Sequence, residues 1–111
     1  MDILDKDRQI IYKALKYYAD LPYWCQDVKT EVIVSEDKRH YLLLSWGWEP
    51  ERRLHGCIVH IEIIENKIWI HQDGIEDGIA NDLVEAGIPK NRIVLAFHPP
   101  EIRPHTEFAV S

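Results

Sequence analysis

The chain has 111 residues, 46% of them hydrophobic and 29% charged, with a net charge of −6. That length suits a single domain, residues 1–111, and that composition a globular chain able to bury a core without staples. It leaves no place for a membrane helix, since no apolar run approaches roughly 20 residues. It disfavours direct binding to nucleic acid or an anionic membrane, because 19 acids outweigh 13 bases and no basic cluster exceeds Lys38-Arg39 or Arg52-Arg53.

The start, MDILDKDRQ, is charged throughout and shows no secretory signal. Residues 4–21 have helical periodicity. Leu4, Ile11, Leu15 and Tyr18 form one stripe, with Ile10, Ala14, Tyr17 and Leu21 beside it. Asp5, Gln9, Lys13, Lys16 and Asp20 make the wet side. Asp2 or Asp5 is placed to cap the start, and Pro22 ends the run.

Four strands follow. In residues 28–35, Val28, Thr30, Val32 and Val34 face one way, and a polar turn over residues 36–39 leads to a strand over 40–48 with Leu42, Leu44, Trp46 and Trp48 on one side. Pro50 in EPERR breaks the pattern. In the strand over 55–64, Cys57, Val59, Ile61 and Ile63 oppose Ile58, His60, Glu62 and Ile64. Glu65-Asn66 reads as a two-residue hairpin turn, with Asn66 suited to positive φ. That turn sets Ile63 against Ile68 and Ile61 against Ile70 on a dry face. On the other face it sets Glu62 against Trp69 and His60 against His71.

A second helix is expected from Asp73 or from Ile75-Glu76, with Ile79, Leu83 and Ala86 at helical spacing. Gly87 and then Pro89 stop it. Residues 92–97 predict a short strand. HPPEIRPH cannot form a regular element, and TEFAV suits another short strand. The fold class is therefore α+β: an N-terminal helix, a four-stranded antiparallel meander, a second helix, a short C-terminal strand and a Pro-rich tail.

Several motifs invite chemistry. Counted from Asp73 as an EF-hand loop, the third position is Ile75 and the twelfth is Val84, so two calcium ligands are missing. Asp73 and Gly74 read better as turn chemistry, and Glu76 and Asp77 as acids in a first helical turn. Asp73, Gly74 and Gly87 are thus expected to shape a structural joint. His60, Glu62 and His71, facing one another across a hairpin, are the best metal-ligand set, though a solvated sheet face also carries such residues as polar cover. Glu65 and Lys67, with Glu62 upstream, have the spacing of a metal-nuclease motif but flank a turn. Six histidines are many but dispersed. Cys25, Cys57 and Ser45 sit in no nucleophile signature, and with no CxxC pair the cysteines read as reduced thiols of a cytoplasmic protein. No cofactor is called for.

Four tryptophans, Trp24, Trp46, Trp48 and Trp69, are a stronger signal. Aromatic side chains beside Arg and His are common material of protein interfaces. Trp46, Trp48, Arg53, His55 and Trp69 are accordingly the partner-binding candidates.

GWEPERRLHGCIVHIEI (residues 47–63), NKIWIHQDGIEDGIANDLVEAGIPK (66–90) and IVLAFHPPEIRPHTEFAV (93–110) together resemble the XisI family. The specific pieces are Gly47-Trp48, Arg53 with His55-Gly56, residues 67–70, Asp73-Gly74, Pro89-Lys90 and residues 97–100. One departure is Asn66, where the family more often has glycine. These are the fdxN element excision controlling factors of filamentous nitrogen-fixing bacteria. The resemblance implies a non-enzymatic regulatory role in a programmed DNA rearrangement during heterocyst development, exerted beside a recombinase and a nuclease-like companion, XisH. An XisH-like protein is therefore the expected partner, and self-association into a homo-oligomer is expected as well. The rivals are a metal-dependent enzyme at His60, Glu62 and His71, and a weak DNA-binding directionality factor.

Overall fold

The computed structural model describes residues 3–22 and 27–111. Asp2, Trp24, Cys25 and the side chain of Leu4 fall outside the described part. Helix α1 spans Ile3–Ala19, and strands β1 (Val28–Val34), β2 (His40–Glu49), β3 (Arg52–Ile64) and β4 (Lys67–Asp73) follow. Then come α2 (Ile79–Glu85), β5 (Ile93–Leu95) and single 3₁₀ turns at Lys90–Arg92 and Arg103–His105. The class is α+β as expected, with one sheet in the order β1-β2-β3-β4-β5. The first four strands form the antiparallel meander, and β5 joins parallel to β4. A parallel neighbour requires a crossover, and α2 supplies it.

Both helices pack on the same face of the sheet. Ile11 and Leu15 of α1 and Ile79, Ala80 and Leu83 of α2 meet Tyr41, Leu43, Val59, Ile61, Ile68 and Ile70 in one buried cluster. The α1 stripe is as the periodicity predicts through Ile10, Ala14 and Tyr18, but Tyr17 is exposed and Leu21 lies beyond the helix end. Two polar ties hold the helices. Asp7, almost fully buried, takes a bidentate ion pair from Arg92, whose Nε also donates to the Asn66 carbonyl at 2.9 Å. The Tyr18 hydroxyl donates to the Asp82 carboxylate across the helix pair.

The hairpin at Glu65-Asn66 has the predicted register, with Ile63 opposite Ile68, Ile61 opposite Ile70 and Glu62 opposite Trp69. The left-handed residue is Glu65 (φ 55°), not Asn66, so the positive φ falls on the first loop position. His60, however, pairs with Gln72 and not with His71. A β-bulge between His60 and Ile61 inserts His71 as an extra residue. A second bulge, opposite Leu43 and Leu44, inserts Ile58 into β3 and turns it toward the core.

Four further expectations change. Pro50 does not separate β2 from β3: with Glu51 it forms a tight turn, so β3 begins at Arg52 and Glu49 faces Arg52. Position 50 lies beyond the last ladder pair, so no strand needs its N–H, which is why proline is tolerated there. Helix α2 starts only at Ile79, so Glu76 and Asp77 lie in the turn before it. The HPPEIRPH segment contains a 3₁₀ turn after all, with Pro104 in its first turn, where a missing N–H costs nothing. The TEFAV segment makes only a single bridge, between Val94 and Ala109.

Candidate functional site

The face of the sheet away from the helices carries most of the candidates. Alternation along β2 buries Tyr41, Leu43 and Ser45 beneath the helices and turns Leu42, Leu44, Trp46 and Trp48 outward. Because β3 starts at Arg52, its residues pair directly with this row: Trp46 faces His55 and Trp48 faces Arg53. Opposite residues of an antiparallel pair share a face. The Arg53 guanidinium lies over the Trp48 ring at 5.7 Å, within cation–π range. Trp48 is 54% exposed. This end of the β2–β3 hairpin extends past β4, whose pairing with β3 begins only at Val59.

Trp69 does not join this patch. It shares the outer face but pairs with Glu62, and Arg103 of the C-terminal segment covers its ring at 5.6 Å. His55 and Glu62 are seven positions apart on β3, about 23 Å at roughly 3.3 Å per residue. Trp46 and Trp48 are therefore grouped with Arg53 and His55, and Trp69 stands apart beneath the tail.

Between these two regions lies a histidine cluster. His71 Nε2 donates to Glu62 Oε1 at 2.9 Å, and His40 Nδ1 shares a hydrogen bond with His60 Nε2 at 3.1 Å. The His60 ring sits 4.8 Å from that of His71, centroid to centroid. Arg39 and His40 approach the other Glu62 oxygen at 3.5 and 3.6 Å. The bulge delivers His71 to this position even though it has no direct cross-strand partner. His40 is the member that the sequence reading missed. Its signal was its place at the start of β2, opposite Glu62. Histidines dispersed along the chain are thus brought together, but as one another's hydrogen-bond partners. No group of three or more His, Cys, Asp or Glu among the described residues is arranged to hold a metal ion. Glu65 lies in the turn and Lys67 opens β4, and Lys67 donates to the Ser111 carbonyl. Burial pushes the Cys57 thiol above its ordinary value, which weakens it as a nucleophile.

The cluster has a pH signature. Burial, then the neighbouring His71 and His40, hold His60 below the ordinary histidine value of 6.5. The hydrogen bond from His71 is the main cause holding the Glu62 carboxyl below its ordinary 4.5. Protonating His60 is harder in the fold than in the unfolded chain, so its penalty is absent above pH 6.5 and grows as the pH falls from there through the lowered folded value. The Glu62 contribution is complete above pH 4.5 and is lost below it. Stability should therefore decline on acidification in two stages. A His60→Gln variant should flatten the upper stage in urea midpoints measured from neutral pH downward. An NMR titration of His60 with its midpoint at or above 6.5 would refute the assignment.

The strand-to-helix joint is built around Asp73. Its carboxylate accepts from the Ile75 N–H at 3.1 Å and from the Ile79 N–H, the first of α2, at 2.8 Å. Gly74 lets the chain pass close to β3: its N–H donates to the Ile58 carbonyl at 2.7 Å, and a Cβ there would sit 2.9 Å from that oxygen. At the far end Gly87 (φ 115°) donates to the Val84 carbonyl and Ile88 to that of Leu83, the paired bonds of a Schellman stop. Asp73→Ala should cost about 0.5–2 kcal/mol, as loss of a cap does, measurable by chemical denaturation.

Comparison with known proteins gives a consistent picture. The sequence pattern of a family described as XisI protein matches residues 1–110. No curated protein matches the chain. Among solved structures, an XisI-like protein from Anabaena variabilis is 31% identical, superposes with a TM-score of 0.88, and the match covers 97% of this chain and 99% of that one. The fdxN element excision controlling factor XisI from Anabaena variabilis is 36% identical with a TM-score of 0.82, over 99% of this chain and 100% of that one.

Proposed function

The chain belongs to the XisI family, and from that premise we propose that it is a non-enzymatic accessory factor in controlled excision of a DNA element. It acts by binding a protein, an XisH-like partner, and not by chemistry of its own. The solved relative of 36% identity that is an excision controlling factor supports the role. The observation that carries the mode of action is the outer sheet face. Trp46, Trp48, Arg53 and His55 are gathered on a hairpin end that reaches past β4, with no described helix over them. Aromatic and arginine side chains so placed are typical interface anchors. The acidic balance of the chain fits a factor that reaches DNA through its partner.

Co-expression with an XisH-like protein followed by size-exclusion chromatography tests the reading. Co-elution is expected, and Trp48→Ala or Arg53→Ala should each weaken it by about 2 kcal/mol or more, the cost of truncating a central anchor. Circular dichroism should show both variants folded. Absence of co-elution at micromolar concentration would overturn the proposal.

A further inference from the structure

The two edges of the sheet are treated differently. At one end β5 has three residues, and its far side is taken by the C-terminal segment, where the Ala109 N–H donates to the Ile93 carbonyl at 2.8 Å. At the other end β1 has seven residues, pairs with β2 without a bulge, and contains no proline. The direction of its hydrogen bonds can be read from its two ends. The Asp27 carbonyl accepts from Trp48, and the Ser35 N–H donates to His40. In an antiparallel ladder the bonding alternates along the strand. The odd-numbered residues therefore bond to β2, and the N–H and C=O groups of Val28, Thr30, Val32 and Val34 point to the open edge. Among the described residues, none outside the ladder bonds to them. A long, regular edge of this kind is a template for another strand.

We propose that β1 pairs antiparallel with the β1 of a second copy of this chain, about a two-fold axis at Thr30, so that two five-stranded sheets become one. The side chains select both the partner and the register. Lys29 and Glu31 are exposed and lie on the outer face. With the axis at Thr30, Lys29 of each copy stands opposite Glu31 of the other, Val28 opposite Val32, and the free groups of Thr30 face one another. Moving the axis by one residue sets Lys29 against Lys29 or Glu31 against Glu31, which is destabilising. Moving it to Val32 leaves Glu31 opposite Ile33 and forms no charge pair. The strand is therefore self-complementary in one register. The inference stands apart from the outer-face reading, because it uses the sheet edge and none of Trp46, Trp48, Arg53 or His55.

Sedimentation velocity on the intact protein, from low to high micromolar concentration, should show a monomer–dimer equilibrium. Lys29→Glu alone and Glu31→Lys alone should each weaken the dimer about tenfold, since two cross-strand attractions become repulsions. The double variant should restore it, because the swapped charges complement each other again. Thr30→Pro should abolish the dimer while leaving the β1–β2 ladder intact, since the N–H it removes points to the open edge. Trp48→Ala should leave the dimer unchanged. If Thr30→Pro does not fold, the charge series decides alone, because those side chains are exposed. A strictly monomeric protein, or a dimer indifferent to the charge series, would overturn the proposal.

Discussion

Asp7→Ala should destabilise the protein by about 3 kcal/mol, the cost of removing one partner from a buried ion pair. Asp7 is buried to within 1% on α1, and its carboxylate is held by both terminal nitrogens of Arg92. Without it the guanidinium keeps its bond to the Asn66 carbonyl but is left largely buried with its charge uncompensated. Against a total stability of about 5–15 kcal/mol for a typical domain, this loss is large. Urea denaturation of Asp7→Ala, Arg92→Ala and the double variant tests it. The double variant should lose much less than the sum of the two single losses, because removing both partners leaves no stranded charge. Additive losses would show that the pair is incidental.

Gly47→Ala should cost about 2–3 kcal/mol, through strain and overpacking together. Gly47 has φ 143°, and a Cβ there would lie 2.0 Å from the Asp27 carbonyl oxygen and 2.8 Å from the Val28 Cα. Both are backbone atoms at the entry to β1, so no side chain can move aside. The same Asp27 oxygen accepts the Trp48 N–H at 3.1 Å, so relief of the clash must displace Trp48 from its place opposite Arg53. The variant should therefore lose thermal stability and, if the proposed function holds, affinity for the XisH-like partner proposed above. Gly56→Ala is the control: a Cβ there meets nothing within 4 Å, and it should leave the melting temperature nearly unchanged. Equal effects at the two positions would refute the steric account.

The parts of this fold that the sequence announced are those set by local rules. Glu65-Asn66 placed the hairpin register because a two-residue turn leaves one choice. Gly87 marked the end of α2 because a Schellman stop needs a left-handed residue at that position. The parts that stayed hidden depend on distance or on irregularity. Nothing near Asp7 signals a partner at Arg92, and an acid on a helix otherwise looks solvated. His40 joined the cluster only once β2 was laid against β3. The bulge that inserts His71 breaks the simple count from the turn. Pro50 misled because it reads as a break, whereas at the tip of the β2–β3 hairpin it fills a turn. The late start of α2 was unreadable because the Asp73 carboxylate spans the intervening turn and caps from six residues away. In the candidate site, the residue types were legible and their grouping was not: Trp46, Trp48, Arg53 and His55 came together, while Trp69 went beneath the tail.

The ion pair between α1 and the 3₁₀ turn before β5 also bears on how the chain reaches its folded state. It joins positions separated by 85 residues, whereas the hairpins between β1 and β4 close over short turns. Chain-closure entropy rises with loop length and must be met before a distant contact repays it. The meander is thus expected to assemble early, with α1 seated on it and locked to Arg92 late. A contact absent from the transition state shows itself in the unfolding rate and hardly in the folding rate. The Asp7–Arg92 pair would then act as a latch on a finished structure, setting how long the native state persists and not how quickly it forms.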